Sequence, residues 1–310
     1  MDRTAFTLPS FAKINWTLRI LGKRLDGYHQ VLTRLQTISL HDEIHFEASD
    51  NEVISLTCDD AAIPADKSNL IVRAAESLKD QSGSCRGARI NLRKIIPAKA
   101  GLGGGSSNAA ITLIGLARLW QLRLSDEDIL RLASALGTDV PFFLKGGCVQ
   151  GEGTGTALKA LADTRMRHII VITPNATVST AEAYKALNSS ALTTKEAETI
   201  LSVSHKQSFS DDSDPWDVES SLANDFEQVI FEREPEINRA KSALEQAGAV
   251  GALLAGSGSS VFGIFEDLRA QTRALELVKV EPGWRVFPCV TISRREYSLA
   301  LGLHESLCSF

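Results

Sequence analysis

A glycine-rich run over residues 101–108, Gly-Leu-Gly-Gly-Gly-Ser-Ser-Asn, constrains this chain more than any other feature. Glycines allow backbone N–H groups to approach a polyphosphate with no side chain in the way. Apolar residues follow at i, i+3, i+4 and i+7 from Ala110 to Ala117, which predicts a helix with one buried face over 109–120. Since a strand, a glycine loop and a helix N-terminus together form an anion site, the run predicts a nucleotide phosphate site. A tight turn before a helix is the simpler alternative.

The run matches neither of the two most common phosphate-binding patterns. No Lys-Ser or Lys-Thr pair follows the glycines, as a Walker A motif requires. Ser106 occupies the place of the third glycine in a dinucleotide fingerprint. A nucleotide that binds here is therefore expected to bind in a different structural setting.

Composition excludes several classes of partner. The 310 residues can bury a large core and are expected to form two domains. A formal net charge of −5 argues against nucleic acid as the main partner, and no apolar run is long enough to span a bilayer. No signal-peptide core precedes Pro9, so a cytoplasmic or already processed protein is expected. The five scattered cysteines include no C-x-x-C pair, which predicts free thiols and no protein metal centre.

Hydrophobic periodicity predicts an α+β chain. Residues 12–20 alternate strictly between apolar and polar, which predicts a half-buried strand with Lys13 and Asn15 on its polar face. The other expected elements are strands over 31–40, 88–96, 168–173 and 284–292, a strand, loop and strand over 249–265, and helices over 69–77, 125–136 and 237–247. Ser125 is the expected N-cap of its helix, and Gly137 is the expected C′ residue.

The glycine-rich stretch 146–156 is the candidate domain boundary. It divides the chain into an N-terminal domain over 1–155 and a C-terminal domain over 156–310. The polar segment 204–214 is expected to be mobile between helices. The tail over 294–310 is expected to be an addition that touches none of the functional motifs. The mixture of strands and helices favours two α+β domains over regular β-α-β alternation.

Five sequence blocks follow one another along the chain: 9–15 (PSFAKIN), 26–29 (DGYH), 97–110 (PAKAGLGGGSSNAA), 137–143 (GTDVPFF) and 254–260 (LAGSGSS). In this order they resemble the GHMP kinase superfamily, which includes galactokinase and the homoserine, mevalonate and phosphomevalonate kinases. Within the superfamily they are most similar to the branch that phosphorylates a cytidine diphosphate-linked methylerythritol on the non-mevalonate route to isoprenoids.

The resemblance implies a two-domain GHMP kinase fold, with a left-handed β-α-β unit in the N-terminal domain and a ferredoxin-like C-terminal domain. The active site is expected in the cleft between them, where ATP with Mg²⁺ phosphorylates the 2-hydroxyl of the cytidylyl alcohol. The implied partner is this small molecule, with neither nucleic acid nor a membrane, and the oligomeric state is left open. A bacterial cytoplasm is the expected location, because plastid enzymes of this type carry a transit peptide that this sequence lacks.

The same resemblance implies a catalytic pair, Lys13 and Asp139. Asp139 would accept the proton of the attacking hydroxyl as a general base, or would act mainly as an electrostatic anchor, and the sequence leaves both roles open. Lys13 would hold Asp139 ionised and could lower the pKa of the substrate hydroxyl. Taken alone, the two residues have simpler interpretations as a solvent-exposed strand lysine and a helix-exit aspartate.

Two further groups of residues are assigned by the resemblance. Cofactor binding is implied for Pro97, Gly101, Leu102, Gly103, Gly104, Gly105, Ser106, Ser107, Asn108, Asn69 and Lys94, the last two near adenosine. Substrate binding is implied for Asn15, Tyr28, His29, Gly256, Ser257 and Gly258. Tyr28 would stack on the cytosine ring, His29 would hydrogen-bond its edge, and Ser107 could also face Mg²⁺. The simpler alternatives are a core tyrosine, a turn histidine, a strand-edge charge at Lys94 and a plain hairpin connection at 256–258.

Two other functions stay open at this point. Another small-alcohol kinase of the superfamily, of the homoserine or mevalonate type, would share the fold. A non-catalytic nucleotide-binding protein would share the glycine run. The DGYH block and the triple glycine argue against the first, and the presence of both Lys13 and Asp139 argues against the second.

A zinc-protease pattern at 41–45 (HDEIH) is not expected to bind metal, because Asp42 replaces the required glutamate and the segment alternates like a strand.

Overall fold

The computed structural model describes residues 5–187 and 222–303, which form two sheets with helices packed on them. The expected mobile segment 204–214 lies outside the described residues, as do residues 304–310 of the tail with Cys308. The described cysteines are free thiols, as predicted: Cys58, Cys85, Cys148 and Cys289. Among the helices of the two described ranges, none has both the length and the apolar character that a bilayer crossing needs.

The first sheet is built on a long hairpin. Strand β1 (Ala5–Lys23) pairs with β2 (His29–Ser49) in antiparallel orientation. Strand β3 (Ile54–Cys58), helix α1 (Leu70–Ser82) and strand β4 (Gly87–Arg93) follow, and β3 pairs in parallel with β4. These three elements are the β-α-β unit of the N-terminal domain.

The rest of the first sheet is added at both sides of this hairpin. The sheet order is β3-β4-β2-β1-β8, with β8 (Ala223–Asn224) parallel to β1. Strand β5 (Cys148–Gly153) pairs with β2 and with β6 (Ala157–Ala160), both in antiparallel orientation. The β5–β6 hairpin of the first sheet thus spans residue 155, where the domain boundary is expected. The position of this boundary stays a prediction.

Local sequence signals explain where two helices begin. The side chain of Asn69 accepts a backbone N–H of the first turn of α1, and Ser125 does the same for α3 (Asp126–Leu136), as predicted for Ser125. Gly137 ends α3 with a φ of 165°, which is extended rather than left-handed. Gly137 is thus the C-cap residue of α3, one position before the predicted C′, and it lacks the left-handed conformation typical of a C′ glycine.

Helix α2 (Gly104–Leu119) begins inside the glycine run rather than at residue 109 as predicted. Every residue from Ser107 to Leu116 is buried, so the prediction of a single buried face is also wrong. The helix packs against β1, β2, α1, α3 and the short helix α4 (Phe142–Lys145). A helix enclosed in this way is apolar all round, and its periodicity does not reveal which side is covered.

The second sheet has the order β11-β7-β10-β9 and is antiparallel throughout. Its strands are β7 (His168–Thr173), β9 (Gly251–Leu254), β10 (Val261–Phe265) and β11 (Arg285–Val290). The accompanying helices are α5 (Thr180–Ala186), α6 (Glu227–Arg233), α7 (Pro235–Gln246) and α8 (Leu268–Val278). This order is that of a ferredoxin-like domain, and the strands predicted for this part of the chain are confirmed.

The two sheets share a buried core at β1. Ile14 and Trp16 are fully buried in a cluster with residues of the second sheet, and the Trp16 ring meets Phe262 edge-on at 5.7 Å between centroids. The polar residues of this strand are buried as well, since Lys13 is 4% and Asn15 is 3% exposed. The prediction of a half-buried strand is wrong, because both faces of β1 are covered.

The C-terminal tail packs into the N-terminal core. Helix α9 (Arg294–Ala300) begins with a capping box formed by Ser293 and Glu296, and Tyr297 on this helix is fully buried. The Tyr297 hydroxyl donates to Phe143 O at 2.5 Å, at the end of the 137–143 block. The expectation that the tail touches none of the motif blocks is therefore wrong.

Candidate active site

A cleft of about 640 Å³ opens where the polar face of β1 meets two glycine loops. The first glycine loop comprises residues 101–105, and the second glycine loop comprises residues 255–260 between β9 and β10. Of the predicted site residues, the cleft is lined by Lys13, Asn15, Asp139, Gly101, Gly103, Gly256, Ser257 and Gly258. The fold thus brings the predicted catalytic pair and both loops to one place.

The ammonium of Lys13 lies at the floor of this cleft. Its Nζ donates to Asn15 Oδ1 and to Gly101 O, both at 2.8 Å, and lies 3.9 Å from Asp139 Oδ2. Burial lowers the pKa of Lys13 from its ordinary value, and the Asp139 carboxylate partly offsets this effect. The interpretation as a solvent-exposed strand lysine is excluded, because the side chain is 5% exposed.

Asn15 is oriented by a chain of hydrogen bonds between β1 and β2. Its Nδ2 donates to Thr33 Oγ1 at 2.8 Å, and Thr33 Oγ1 in turn donates to Thr17 O at 2.8 Å. Because Nδ2 is used in this way, Oδ1 faces the Lys13 ammonium. Sequence analysis missed Thr33, since only the register of the hairpin places it beside Asn15.

Different structural features explain why glycine occupies each position of the first loop. Gly101 and Gly103 have φ values of +78° and +71°, in the left-handed region that strains other residues. A Cβ on Gly101 would collide with the carbonyl of Ala255, and one on Gly103 would press on the Phe143 ring. Gly105 is exposed, and a Cβ on it would meet only Leu70 Cδ1, at an ordinary contact distance of 3.8 Å. Packing therefore explains Gly101 and Gly103, whereas the space at Gly105 suits an approaching phosphate.

The polar residues after the glycines do not cap α2. Gly103 is the N-cap and makes no side-chain cap hydrogen bond. Ser107 and Asn108 are buried, and Ser10 Oγ donates to Asn108 Oδ1 at 2.6 Å and lies within hydrogen-bond distance of Ser107 Oγ, at 2.8 Å. These contacts fasten the first turn of α2 to β1 and hold the Ser107 hydroxyl inside the protein. The backbone N–H groups at the start of α2 have no side-chain cap, an arrangement that binds anions.

The second glycine loop approaches the first one backbone to backbone. Ser260 N donates to Ala100 O at 3.1 Å. A Cβ on Gly256 would lie 2.9 Å from Gly101 O and 3.2 Å from Lys13 Nζ. A plain hairpin connection would not need such a close approach, so the simpler interpretation of this loop does not account for its glycines.

Aromatic contacts extend from the cleft to the start of β2. Tyr28, on the turn between β1 and β2, is 63% exposed and is therefore not a core tyrosine. The His29 ring stacks on Tyr184 with 4.6 Å between centroids, and Tyr184 meets Phe226 edge-on at 4.9 Å. Tyr184 and Phe226 line the cleft directly, whereas Tyr28 and His29 are not among the described residues that line it. Sequence analysis missed Tyr184, because no motif surrounds it.

The protonation states of these rings follow from their surroundings. Burial lowers the pKa of His29, with the charge of Lys23 as the second cause, so the ring is neutral near pH 7. Burial, followed by the charge of Asp139, raises the pKa of Tyr184 to about 12, so its phenol keeps its proton. His29 and Tyr184 therefore present uncharged hydrogen-bonding rings, which suits an uncharged heterocycle.

The two residues predicted near adenosine have structural partners. Lys94 Nζ donates to Asp42 Oδ2 at 2.7 Å and to Ile96 O, and its side chain is 7% exposed, so it is not a strand-edge charge. Asn69 caps α1 and donates to Pro64 O at 2.7 Å. Neither is among the described residues that line the cleft, and their contact with adenosine stays a prediction.

Asp42 is a further residue whose place the sequence did not reveal. It lies on β2, where the strand predicted for 41–45 is confirmed, and it is fully buried. Its Oδ1 accepts Ile95 N and Ile96 N, both at 2.7 Å, directly before the 97–110 block. Within the part of the chain that the structure describes, no group of three or more His, Cys, Asp or Glu side chains could hold a metal.

Comparison with known proteins adds an independent finding. The model of the GHMP kinases N terminal domain matches residues 69–147, and that of the GHMP kinases C terminal domain matches residues 217–279. The 4-diphosphocytidyl-2-C-methyl-D-erythritol kinase of Syntrophus aciditrophicus is 41% identical over 280 residues, which covers 90% of this chain and 96% of that protein.

Solved structures agree with this similarity. A crystal structure of 4-(cytidine 5'-diphospho)-2C-methyl-D-erythritol kinase has a TM-score of 0.73 and 31% identity, and the match covers 92% of this chain and 99% of the other. The homoserine kinase of Cytophaga hutchinsonii has a TM-score of 0.70 at 19% identity, with 95% and 97% covered. At that identity the second likeness shows the fold alone.

Proposed function

Since this chain belongs to the 4-diphosphocytidyl-2-C-methyl-D-erythritol kinase family of GHMP kinases, we propose that Lys13 and Asp139 carry out its phosphoryl transfer. The chain is an ATP-dependent kinase of the isoprenoid pathway that phosphorylates 4-diphosphocytidyl-2-C-methyl-D-erythritol. The proposed acceptor is the 2-hydroxyl, and the products are the 2-phosphate and ADP. The observation that carries the proposal is the Lys13–Asp139 pair, 3.9 Å apart in a cleft bordered by both glycine loops.

The geometry of the pair suits the activation of an alcohol. An alcohol is a weak nucleophile, and phosphoryl transfer depends mainly on positioning and on stabilisation of charge. The Asp139 side chain is 44% exposed and lies too far from Lys13 for a hydrogen bond, so its oxygens can accept the proton of a bound hydroxyl. Lys13 stabilises the negative charge that develops on the attacking oxygen, because its ammonium is held in place by Asn15 and Gly101.

The first glycine loop is the proposed site of the ATP phosphates. The uncapped N–H groups at the start of α2 and the helix dipole both favour an anion there. The exposed position of Gly105 leaves room for it, and Gly101 and Gly103 give the loop its shape.

Mg²⁺ fits this cleft as a companion of ATP. Magnesium in such sites is bound by one or two carboxylates together with phosphate oxygens and waters, and it neutralises phosphate charge when bound. Asp139 is the one carboxylate among the described residues that line the cleft, and its proposed role is toward the acceptor hydroxyl, so ATP phosphate oxygens and waters are the proposed Mg²⁺ ligands. The Ser107 hydroxyl fits this role poorly, since it is buried against Ser10.

The proposed cytosine site is formed by Tyr28 and His29, next to Tyr184 of the cleft. The exposed Tyr28 ring offers a face on which a base can stack, and the neutral His29 ring offers hydrogen bonds to its edge. Stacking on Tyr184 fixes the plane of His29 and so supports this role. The proposed setting is a bacterial cytoplasm, with this small molecule rather than a nucleic acid as the partner.

A panel of alcohols tests the proposal. ADP release is measured with the cytidylyl methylerythritol, with homoserine and with mevalonate, and the phosphorylated position is located by NMR of the product. We expect turnover with the cytidylyl alcohol, phosphate on its 2-oxygen, and background rates with the other two. Turnover of homoserine or mevalonate without turnover of the cytidylyl alcohol would contradict the proposal.

A further inference from the structure

A polar side chain outside the motif blocks holds the second glycine loop from behind. Asn224 Nδ2 donates to Leu254 O at 2.8 Å and to Gly256 O at 2.7 Å. Its Oδ1 accepts Phe226 N at 2.9 Å, and the residue is 8% exposed. The two N–H groups of the amide therefore hold the end of β9 and the loop that follows it, and the amide oxygen fixes which way the amide faces.

The residues next to Asn224 tie this support to β1. Asp225 N donates to Leu18 O at 3.0 Å, and Asp225 Oδ2 accepts Ile20 N at 2.7 Å. Glu227 Oε1 accepts Leu254 N at 2.9 Å, which adds a second bond to the start of the loop. Residues 224–227 thus join the second glycine loop to the strand that carries Lys13 and Asn15.

The loop that Asn224 supports lies next to the Lys13 ammonium. Gly256 covers the ammonium, since a Cβ on this glycine would lie 3.2 Å from Lys13 Nζ. The position of the loop therefore sets how much water reaches the lysine. Among the described residues, the other charged or titratable groups that line this cleft are Asp139, Lys99 and Tyr184.

We propose that Asn224 is a positioning residue, which fixes the distance between the second glycine loop and the Lys13 ammonium. Through this distance it determines where the acceptor alcohol binds. This inference rests on the proposed function, because it assigns Lys13 to the reaction. Asn224 acts through Gly256 and lies behind the loop, away from the reacting atoms. The residue is a component of the site that no sequence block pointed to.

The variant Asn224→Ala tests this role, with kcat, both KM values and the pH profile as readouts. We expect kcat to fall about 10- to 100-fold, because the hydrogen bond to Gly256 in the loop and the one to Leu254 directly before it are both lost. The KM for ATP should change by less than about threefold, since the first glycine loop keeps its own hydrogen bonds and dihedral angles. The alkaline limb of kcat should move to higher pH, because Lys13 becomes hydrated and its lowered pKa rises again.

Asn238→Ala is the matched control. Asn238 is an exposed asparagine on α7 beside the same outer polar cavity as Asn224, and its replacement should leave all four readouts unchanged. Thermal unfolding shows whether Asn224→Ala is folded. If it is not, Asn224→Ser replaces it, because a serine cannot bridge both carbonyls, and the same changes are expected.

Two outcomes separate this inference from the proposed function. A folded Asn224 variant with the wild-type kcat and an unmoved alkaline limb overturns the positioning role. A wild-type enzyme without turnover of the cytidylyl alcohol instead counts against the proposed function, since the wild type is measured in the same series.

Discussion

Lys13 and Lys94 are both buried beside the first glycine loop, yet their counter-charges differ. Lys94 Nζ lies 2.7 Å from Asp42 Oδ2, and the two side chains are 7% and 0% exposed. Lys13 Nζ lies 3.9 Å from Asp139 Oδ2, and the Asp139 side chain is 44% exposed. One lysine therefore belongs to a closed pair inside the protein, and the other faces a cleft open to substrates.

The difference separates a structural cation from a reactive one. Asp42 accepts three hydrogen bonds, from Lys94 and two backbone N–H groups, so the charge of Lys94 is neutralised and fixes the backbone before the first glycine loop. Lys13 gives its hydrogen bonds to the neutral oxygens of Asn15 and Gly101. Its charge is left to act on a substrate, and this arrangement explains why burial lowers its pKa.

The largest effect is expected on the exposed partner of the reactive lysine. Asp139→Asn keeps the shape of the side chain and removes its ability to take a proton. We expect kcat to fall about 10²- to 10⁴-fold, the usual contribution of general acid–base catalysis. Binding of a non-hydrolysable ATP analogue, measured by calorimetry, should be preserved. A kcat within a factor of about ten of the wild type would show that Asp139 acts as an anchor only.

Replacing Lys94, which forms the closed pair with Asp42, should lower the stability of the protein. Lys94→Met leaves the buried Asp42 carboxylate without its cation, which is expected to lower the free energy of unfolding by about 3–5 kcal/mol. Urea denaturation measures this change. A loss below about 1 kcal/mol would mean that the pair is hydrated in solution and would remove the contrast between the two lysines.

The reciprocal change at the reactive lysine should spare stability. Lys13→Met is expected to lower kcat about 10²- to 10³-fold, the usual cost of removing a group that stabilises transition-state charge. The free energy of unfolding should change less than in Lys94→Met, because Asp139 stays hydrated. In the wild type, activity should decline as pH rises through the Lys13 pKa, which burial holds below 10.5. An alkaline limb that persists in Lys13→Met would assign that limb to another group.

The smallest effect is expected at Tyr28, on the turn between β1 and β2. Tyr28→Ala removes the exposed ring from the proposed cytosine site. The KM for the cytidylyl alcohol should rise by a factor that corresponds to a loss of about 1–3 kcal/mol of binding free energy, the range measured for base–aromatic stacking. Leu25→Ala is the control, since Leu25 is exposed on the same turn but carries no ring. Steady-state kinetics with both variants distinguishes stacking from a general effect of the turn. Equal KM values would exclude Tyr28 from the cytosine site.

Much of the fold could be predicted because local signals are strong there. Asn69 and Ser125 begin their helices through side-chain caps, and the apolar segment of β7 has the bounds expected for it. The start of α2 could not be predicted, because glycines carry no periodicity and the helix begins within them. The contact of Tyr297 with Phe143 could not be predicted either, since it joins residues that are distant along the chain.

The sequence by itself determined the family, the order of the blocks and the alternation that places Lys13 and Asn15 on one face of β1. Only the tertiary structure decided that this face is buried, that Asn224 supports the second glycine loop, and that Lys94 is neutralised by Asp42 whereas Lys13 is not. The physical reason is that periodicity reports which residues share a face, while burial and pKa depend on what packs against that face from elsewhere in the chain.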